Sequence, residues 1–167
     1  MLDLQLSLQM QPQNQQLCSC AFTGHRVLED KHLDKVLKNE IEGMIKQGVT
    51  TFYNGGAIGF DLLAAEIVLK LKKKHRDLRL IVCIPCYNQE RNFSEKDKKR
   101  YASVLNKADE KILVSEAYFN GCMQKRDRYM ADRADALIAY LKKEVGGTAY
   151  TVRYFQKKYP EKPVVFL

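Results

Sequence analysis

Asn54-Gly55-Gly56-Ala57-Ile58-Gly59-Phe60-Asp61 stands between a strand-like apolar run, Val49 to Tyr53, and a long apolar helical run, Leu62 to Leu71. Three glycines at a strand-to-helix junction let backbone approach something bulky and leave bare amides at a positive helix end. Proteins hold phosphate in this way. The spacing is not the dinucleotide fingerprint, which follows the first strand as G-x-G-x-x-G, and it is not a P-loop, because no Gly-Lys-Ser/Thr appears. The alternative is a tight turn that needs glycine and nothing more.

Working outward, strands and helices alternate to both ends. Leu17 to Phe22 reads as a short buried strand closed by Thr23-Gly24-His25-Arg26. Leu33, Val36, Leu37, Ile41, Met44 and Ile45 recur at helical spacing and stop at Gly48. Leu78 to Ile84 reads as an interior parallel strand ended by Pro85. Ser94 with Asp97 predicts a capping box for a helix carrying Tyr101, Val104 and Leu105. Lys111 to Val114, Ala136 to Tyr140 and Pro163 to Phe166 read as further strands, with helices over Met123 to Arg133 and after Gly146-Gly147-Thr148. This order predicts an α/β fold: a Rossmann-like three-layer sandwich with a mostly parallel central sheet and helices on both faces. Residues 17–167 form one domain behind a flexible leader, residues 1–16; edge-strand pairing or docking on a neighbouring subunit is the leader's alternative. In such sheets ligands bind outside the carboxyl ends of the strands, where strand order reverses.

Composition narrows the class. The chain has 167 residues, 46% apolar and 29% charged, with no apolar run approaching a membrane span. The leader alternates Leu with polar residues and turns Gln-rich, unlike a secretory signal, so a cytoplasmic protein is expected, with no membrane partner. Net charge is +8, and much of the excess lies in Lys70 to Arg79 and Lys96 to Arg100, as solvated helix ends or as an attraction for phosphorylated ligands or nucleic acid. Cys83-Ile84-Pro85-Cys86 has redox or zinc spacing, but it closes a strand and no second pair or His completes it. No metal site and no cofactor are expected.

Several residues at the strand ends suit an anionic ligand. Gly55, Gly56, Ala57 and Gly59 supply amides, and Gly146, Gly147 and Thr148 repeat the arrangement at another helix start. Thr23, Gly24, His25 and Arg26 offer a hydroxyl, a close backbone and two cation-capable side chains, Arg26 being the phosphate gripper. His25 reads as an acid or base, or as a hydrogen-bonding or stacking residue. Arg126 falls on the buried stripe of its helix with Met123 and Met130, so it needs an anionic ligand or a carboxylate, with Asp61, Glu66 and Asp132 as candidates. Arg128 is rotated away and is expected in solvent. Tyr87, Tyr118 and Phe93 form an aromatic wall for a base, or core and lid residues.

Taken in order, Phe22-Thr23-Gly24-His25-Arg26, the glycine loop with Ala64-Ala65-Glu66, Pro85-Cys86 with Gln89, Gly121-Cys122-Met123 with Arg126-Asp127-Arg128-Tyr129-Met130, and Gly146-Gly147-Thr148-Ala149 resemble the YpsA-like branch of the SLOG superfamily. That superfamily includes Smf/DprA and LOG proteins, and the resemblance covers about Cys20 to Leu167. It implies a Rossmann-like fold that binds nucleotides or nucleotide-derived ligands, with a sensor role, and a homodimer or larger homo-oligomer. LOG relatives are phosphoribohydrolases that cleave nucleoside monophosphates, with a catalytic Glu in a P-G-G-x-G-T-x-x-E loop. Here Asn54 replaces the Pro and Phe60 the Thr, so Asp61 or Glu66 would have to serve as the catalytic carboxylate. DprA relatives bind single-stranded DNA; the basic charge permits this, yet the lysine runs carry few interleaved aromatics. Asp127 stands where the family often has Asn, and Phe93 lies in a stretch where it often has Trp.

Overall fold

The computed structural model describes residues 16–167; apart from Gln16, the expected leader lies outside the described residues. Six strands form one sheet: β1 (Ser19–Gly24), β2 (Thr51–Asn54), β3 (Arg79–Ile84), β4 (Glu110–Leu113), β5 (Ala136–Tyr140) and β6 (Val164–Phe166). Every pairing is parallel, in the order β4-β3-β2-β1-β5-β6. The crossovers are α1 (Leu33–Lys46), α2 (Phe60–Lys72), α3 (Glu95–Lys107), α4 (Cys122–Arg133) and α5 (Gly147–Lys158). The chain steps outward from β1 to β4, then α4 carries it back past β1 to β5. Strand order therefore reverses between β1 and β5, which is where a parallel sheet opens a crevice at its carboxyl edge.

Alternation along the strands sends their side chains into two cores. Cys20 and Phe22 of β1, Leu80 and Val82 of β3, and Ile138 and Tyr140 of β5 pack under α1, α2 and α3. Ala21, Ile81, Cys83, Leu137 and Ala139 face the other way, under α4 and α5. The three-layer sandwich is the expected one. The stripe of α1 is narrower than its sequence suggests: Leu33, Leu37, Ile41 and Met44 are buried, whereas Val36 lies just off that line and is exposed. Ser94 caps α3 as expected, accepting from the Asp97 amide at 3.1 Å while its hydroxyl donates to the Asp97 carboxylate at 3.0 Å. A 3-10 turn over Gln89–Asn92, unforeseen from the sequence, follows β3.

The start of α2 is held by aromatic packing. Phe60 stacks on Tyr140 with centroids 5.8 Å apart and meets Phe22 edge-on at 6.3 Å. Gly24 makes room for it, since a β-carbon there would lie 2.3 Å from the Phe60 ring. The helix mouth is thus fixed against β1 by van der Waals contact.

Candidate functional site

The glycine loop is built by this chain's own groups. Asn54 is buried at the end of β2; its amide nitrogen donates to the Asp61 carbonyl at 2.8 Å and its Oδ1 accepts from the Gly56 amide at 2.8 Å. The Asp61 carboxylate, also buried, accepts from the Ala57 amide at 3.3 Å. The Phe60 amide donates to the His25 carbonyl at 3.1 Å. Two glycines make space for side chains: a β-carbon on Gly55 would lie 2.6 Å from the Arg126 guanidinium, and one on Gly56 would lie 2.8 Å from the Tyr101 ring. Among the described residues, the amides of Ile58 and Gly59 have no protein acceptor. Of the two, Ile58 lines the cleft described below.

Arg126 supports the loop from beneath. Its Nη1 donates to the Gly55 carbonyl and, at 3.3 Å, to the Cys83 carbonyl, while its Nε pairs with Asp127 at 2.8 Å. Thr151, in the first turns of α5, donates to Asp127 at 3.2 Å or to the Gly147 carbonyl at 2.8 Å. A polar chain therefore joins the mouth of α2 to that of α5. Burial raises the Asp61 carboxyl to about 6, with Asp127 adding to the rise and Arg126 opposing it. The protonated form that burial favours has a weaker hold on the Ala57 amide.

The other named residues are dispersed. Glu66 forms a two-point ion pair with Arg100 of α3, at 2.7 and 3.1 Å, and lies outside the cleft. Asp132 accepts from Tyr154, Lys158 and Tyr159 at the far end of α4. Arg128, expected in solvent, is half-buried and donates to the Tyr150 hydroxyl at 2.8 Å, because α5 packs beside α4 there. Gly146 and Gly147 are exposed, with none of the described residues within 4 Å of where a β-carbon would sit, whereas Thr148 and Thr23 are buried.

His25 has a defined partner. Its Nε2 accepts from the Lys142 amide at 2.8 Å and the Lys143 amide at 3.3 Å, and its ring meets Tyr140 edge-on at 5.9 Å. This requires a neutral ring. Burial lowers its pKa from 6.5, Lys143 lowers it further and Glu29 acts against them. A base whose folded pKa lies below its unfolded value adds stability above the unfolded pKa, and loses it as pH falls through the folded one. Protection of the Lys142 and Lys143 amides from hydrogen exchange is therefore expected to fall between about pH 7.5 and about pH 5.5, after correction for intrinsic rates. The His25→Ala protein should show low protection at both. Protection that ignores both pH and the substitution would remove His25 as the anchor.

A cleft of about 230 Å³ opens beside the α2 mouth at the carboxyl edge of the sheet. Arg26, Ala57 and Ile58 form one wall, the loop from Cys86 to Phe93 another, and Tyr118 with Met123 the third. Arg26 and Arg91 are exposed and, among the described residues, have no carboxylate partner. Tyr87 and Tyr118 are 66% and 62% exposed, so their rings are available for stacking. Phe93 is held edge-on to Tyr101 at 5.7 Å. The sequence did not single out Arg91 or Asn88, which enter through the unforeseen 3-10 turn.

Comparison with known proteins agrees with this architecture. The profile of the YpsA family, described as the YspA SLOG family, matches residues 22–165. The uncharacterised SPbeta prophage-derived protein YoqJ of Bacillus subtilis strain 168 is 33% identical over 138 residues, covering 75% of this chain and 81% of YoqJ. YpsA of the same strain is 27% identical over 140 residues, covering 77% and 78%. The structure of DNA processing protein A from Helicobacter pylori, described for its single-stranded DNA binding mode, superimposes with a TM-score of 0.61 at 20% identity. That superposition takes in 92% of this chain and 66% of the other, and it is a likeness of fold.

Proposed function

The chain belongs to the YpsA family of SLOG proteins, and from that premise we propose that it binds a nucleotide or nucleotide-derived phosphorylated ligand at the carboxyl edge of its sheet, as a sensor. One observation carries this reading: Arg26, without an acid partner among the described residues, the mouth of α2 and two exposed tyrosines face a single cleft. The amides of Ile58 and Gly59 with the Arg26 guanidinium suit a phosphate, and Tyr87 and Tyr118 suit a base. Neither candidate catalytic carboxylate lines the cleft, since Glu66 is held by Arg100 and Asp61 by the loop itself. Binding without turnover is therefore the reading the geometry favours.

Isothermal titration against a panel of nucleoside mono- and diphosphates and ADP-ribose tests it. Arg26→Ala is expected to weaken binding roughly tenfold to a hundredfold, the worth of a charge-assisted hydrogen bond. Tyr118→Ala should weaken nucleotides but not inorganic phosphate. Silence across the panel would overturn the proposal.

A second reading, single-stranded DNA, has its own observation. Arg91 lies over the Tyr118 ring at 5.6 Å and Lys125 over the Phe119 ring at 5.9 Å, and these are the interleaved cations and aromatics that the lysine runs lack. An oligothymidine affinity that falls steeply with salt would favour it; no binding at low salt would exclude it.

A further inference from the structure

Two cavities meet at Arg26, one on each side of the loop that leaves β1. The cleft described above takes its walls from the loops after β1, β2, β3 and β4. A second pocket, of about 190 Å³, lies between the chain leaving β1 and the chain leaving β5, and Arg26 is the residue that lines both. Strand order reverses between these two strands, where parallel sheets place ligands. Lys142, Lys143 and Glu29 also line the pocket. Lys142 is paired with Asp30 at 3.1 Å. Lys143, like Arg26, is exposed and has no carboxylate partner among the described residues. Two free cations therefore stand against the single carboxylate of Glu29. The walls are already joined: His25 Nε2 accepts from the Lys142 and Lys143 amides, and the Glu29 amide donates to the Tyr140 hydroxyl at 3.2 Å. The two rings of the pocket, His25 and Tyr140, meet each other edge-on, and Tyr140 is fully buried, so it offers cations rather than a platform for a base.

We propose that this pocket is a second phosphate subsite and that the ligand is a diphosphate. One phosphate sits at the α2 mouth and the next beside Lys143, with the Arg26 guanidinium between them. The inference rests on the phosphate site proposed above for the α2 mouth and adds to it the class of ligand. A guanidinium presents five N–H donors in a planar fork, enough to bond two neighbouring phosphates at once. A monophosphate in the cleft engages Arg26 from one side and leaves Lys143 unused. A diphosphate uses both sides, and the joined walls mean that little of its binding energy goes into ordering them.

Titration calorimetry of the full chain with AMP and ADP, and with phosphate and pyrophosphate, tests it. ADP is expected to bind roughly tenfold or more tighter than AMP, and pyrophosphate to exceed phosphate by a similar factor. Lys143→Ala should remove most of that advantage and leave AMP unchanged, whereas Glu29→Gln should enlarge it roughly twofold to fivefold. Lys157→Ala, which removes an exposed lysine in the last turn of α5, controls for net charge and should alter neither. If AMP binds and ADP gains nothing, or if the gain survives Lys143→Ala or falls equally in Lys157→Ala, the second subsite is overturned while the nucleotide site stands. If pyrophosphate shows the gain and Lys143→Ala abolishes it, yet AMP binds no better than phosphate, the subsite stands and recognition of a base falls. Absence of binding by both ADP and pyrophosphate would overturn the two together.

Discussion

Replacement of Arg126 by methionine is expected to destabilise the protein by about 3–5 kcal/mol, among the largest losses any single side chain here can cause. The guanidinium is 5% exposed, and it bonds the carbonyls of Gly55 and Cys83 and the Asp127 carboxylate. Removing it leaves the Asp127 carboxylate without its ion pair and the buried Asp61 without its nearest compensating cation. The methionine fills much of the volume, so the deficit reports lost polar partners more than a cavity. Thermal denaturation should shift by roughly 6–20 °C for a chain of this size.

The loss has a pH signature. Asp61 already has a folded pKa raised from 3.8 to about 6, so the folded state holds its proton more tightly than the unfolded state. For such an acid, stability falls as pH rises from the unfolded value toward the folded one. Without Arg126 the folded value climbs further and the fall continues above 6. The deficit of the variant should therefore be larger near pH 8 than near pH 5. Arg126→Met/Asp61→Asn should recover part of it and flatten the pH dependence. A deficit below about 1 kcal/mol, or one independent of pH, would show that the loop holds without the guanidinium.

That role for Arg126 was half-legible in the sequence. Its place on the buried stripe of α4 predicted a charge needing a partner. The partner could not be read, because residues one apart on a helix do not face each other in the usual geometry. Asp127 is nevertheless reached, since the arginine Nε donates to it while Nη1, further along the side chain, donates to the Gly55 carbonyl. The sheet was legible for the opposite reason: the strands are short apolar runs bounded by Gly, Pro or charge, and the periodicity changes sharply at each. Only the order of strands, set by the return crossover through α4, had to wait for the structure. The glycine loop was located correctly as a strand-to-helix junction, yet all three of its glycines answer to Arg126, Tyr101 or backbone rather than to open space. Close approach by protein and close approach by ligand leave the same mark in sequence, and only neighbours distant in the chain tell them apart.

Gly59 gives the second large effect, and its contrast with Gly147 separates those two demands. Its φ of 78° lies in the left-handed region, and a β-carbon there would meet the Arg26 carbonyl oxygen at 2.2 Å. Both obstacles are backbone, so no side chain can rotate away. Left-handed strain costs roughly 1–2 kcal/mol by itself, and displacing the Arg26 peptide must also break the adjacent Phe60-to-His25 hydrogen bond. Gly59→Ala is therefore expected to cost about 3 kcal/mol or more, and to move Arg26 and the Ile58 amide out of register. Gly147→Ala, with none of the described residues within 4 Å, should leave stability unchanged to within about 0.5 kcal/mol. Urea denaturation of the two proteins side by side checks the contrast. If Gly59→Ala is tolerated as well as Gly147→Ala, the β1 loop is not fixed against the mouth of α2, and the arginine has no defined place at the cleft. If it is not tolerated, the distance from Arg26 to the amides of α2 is set by main-chain contact, as a preorganised anion site requires.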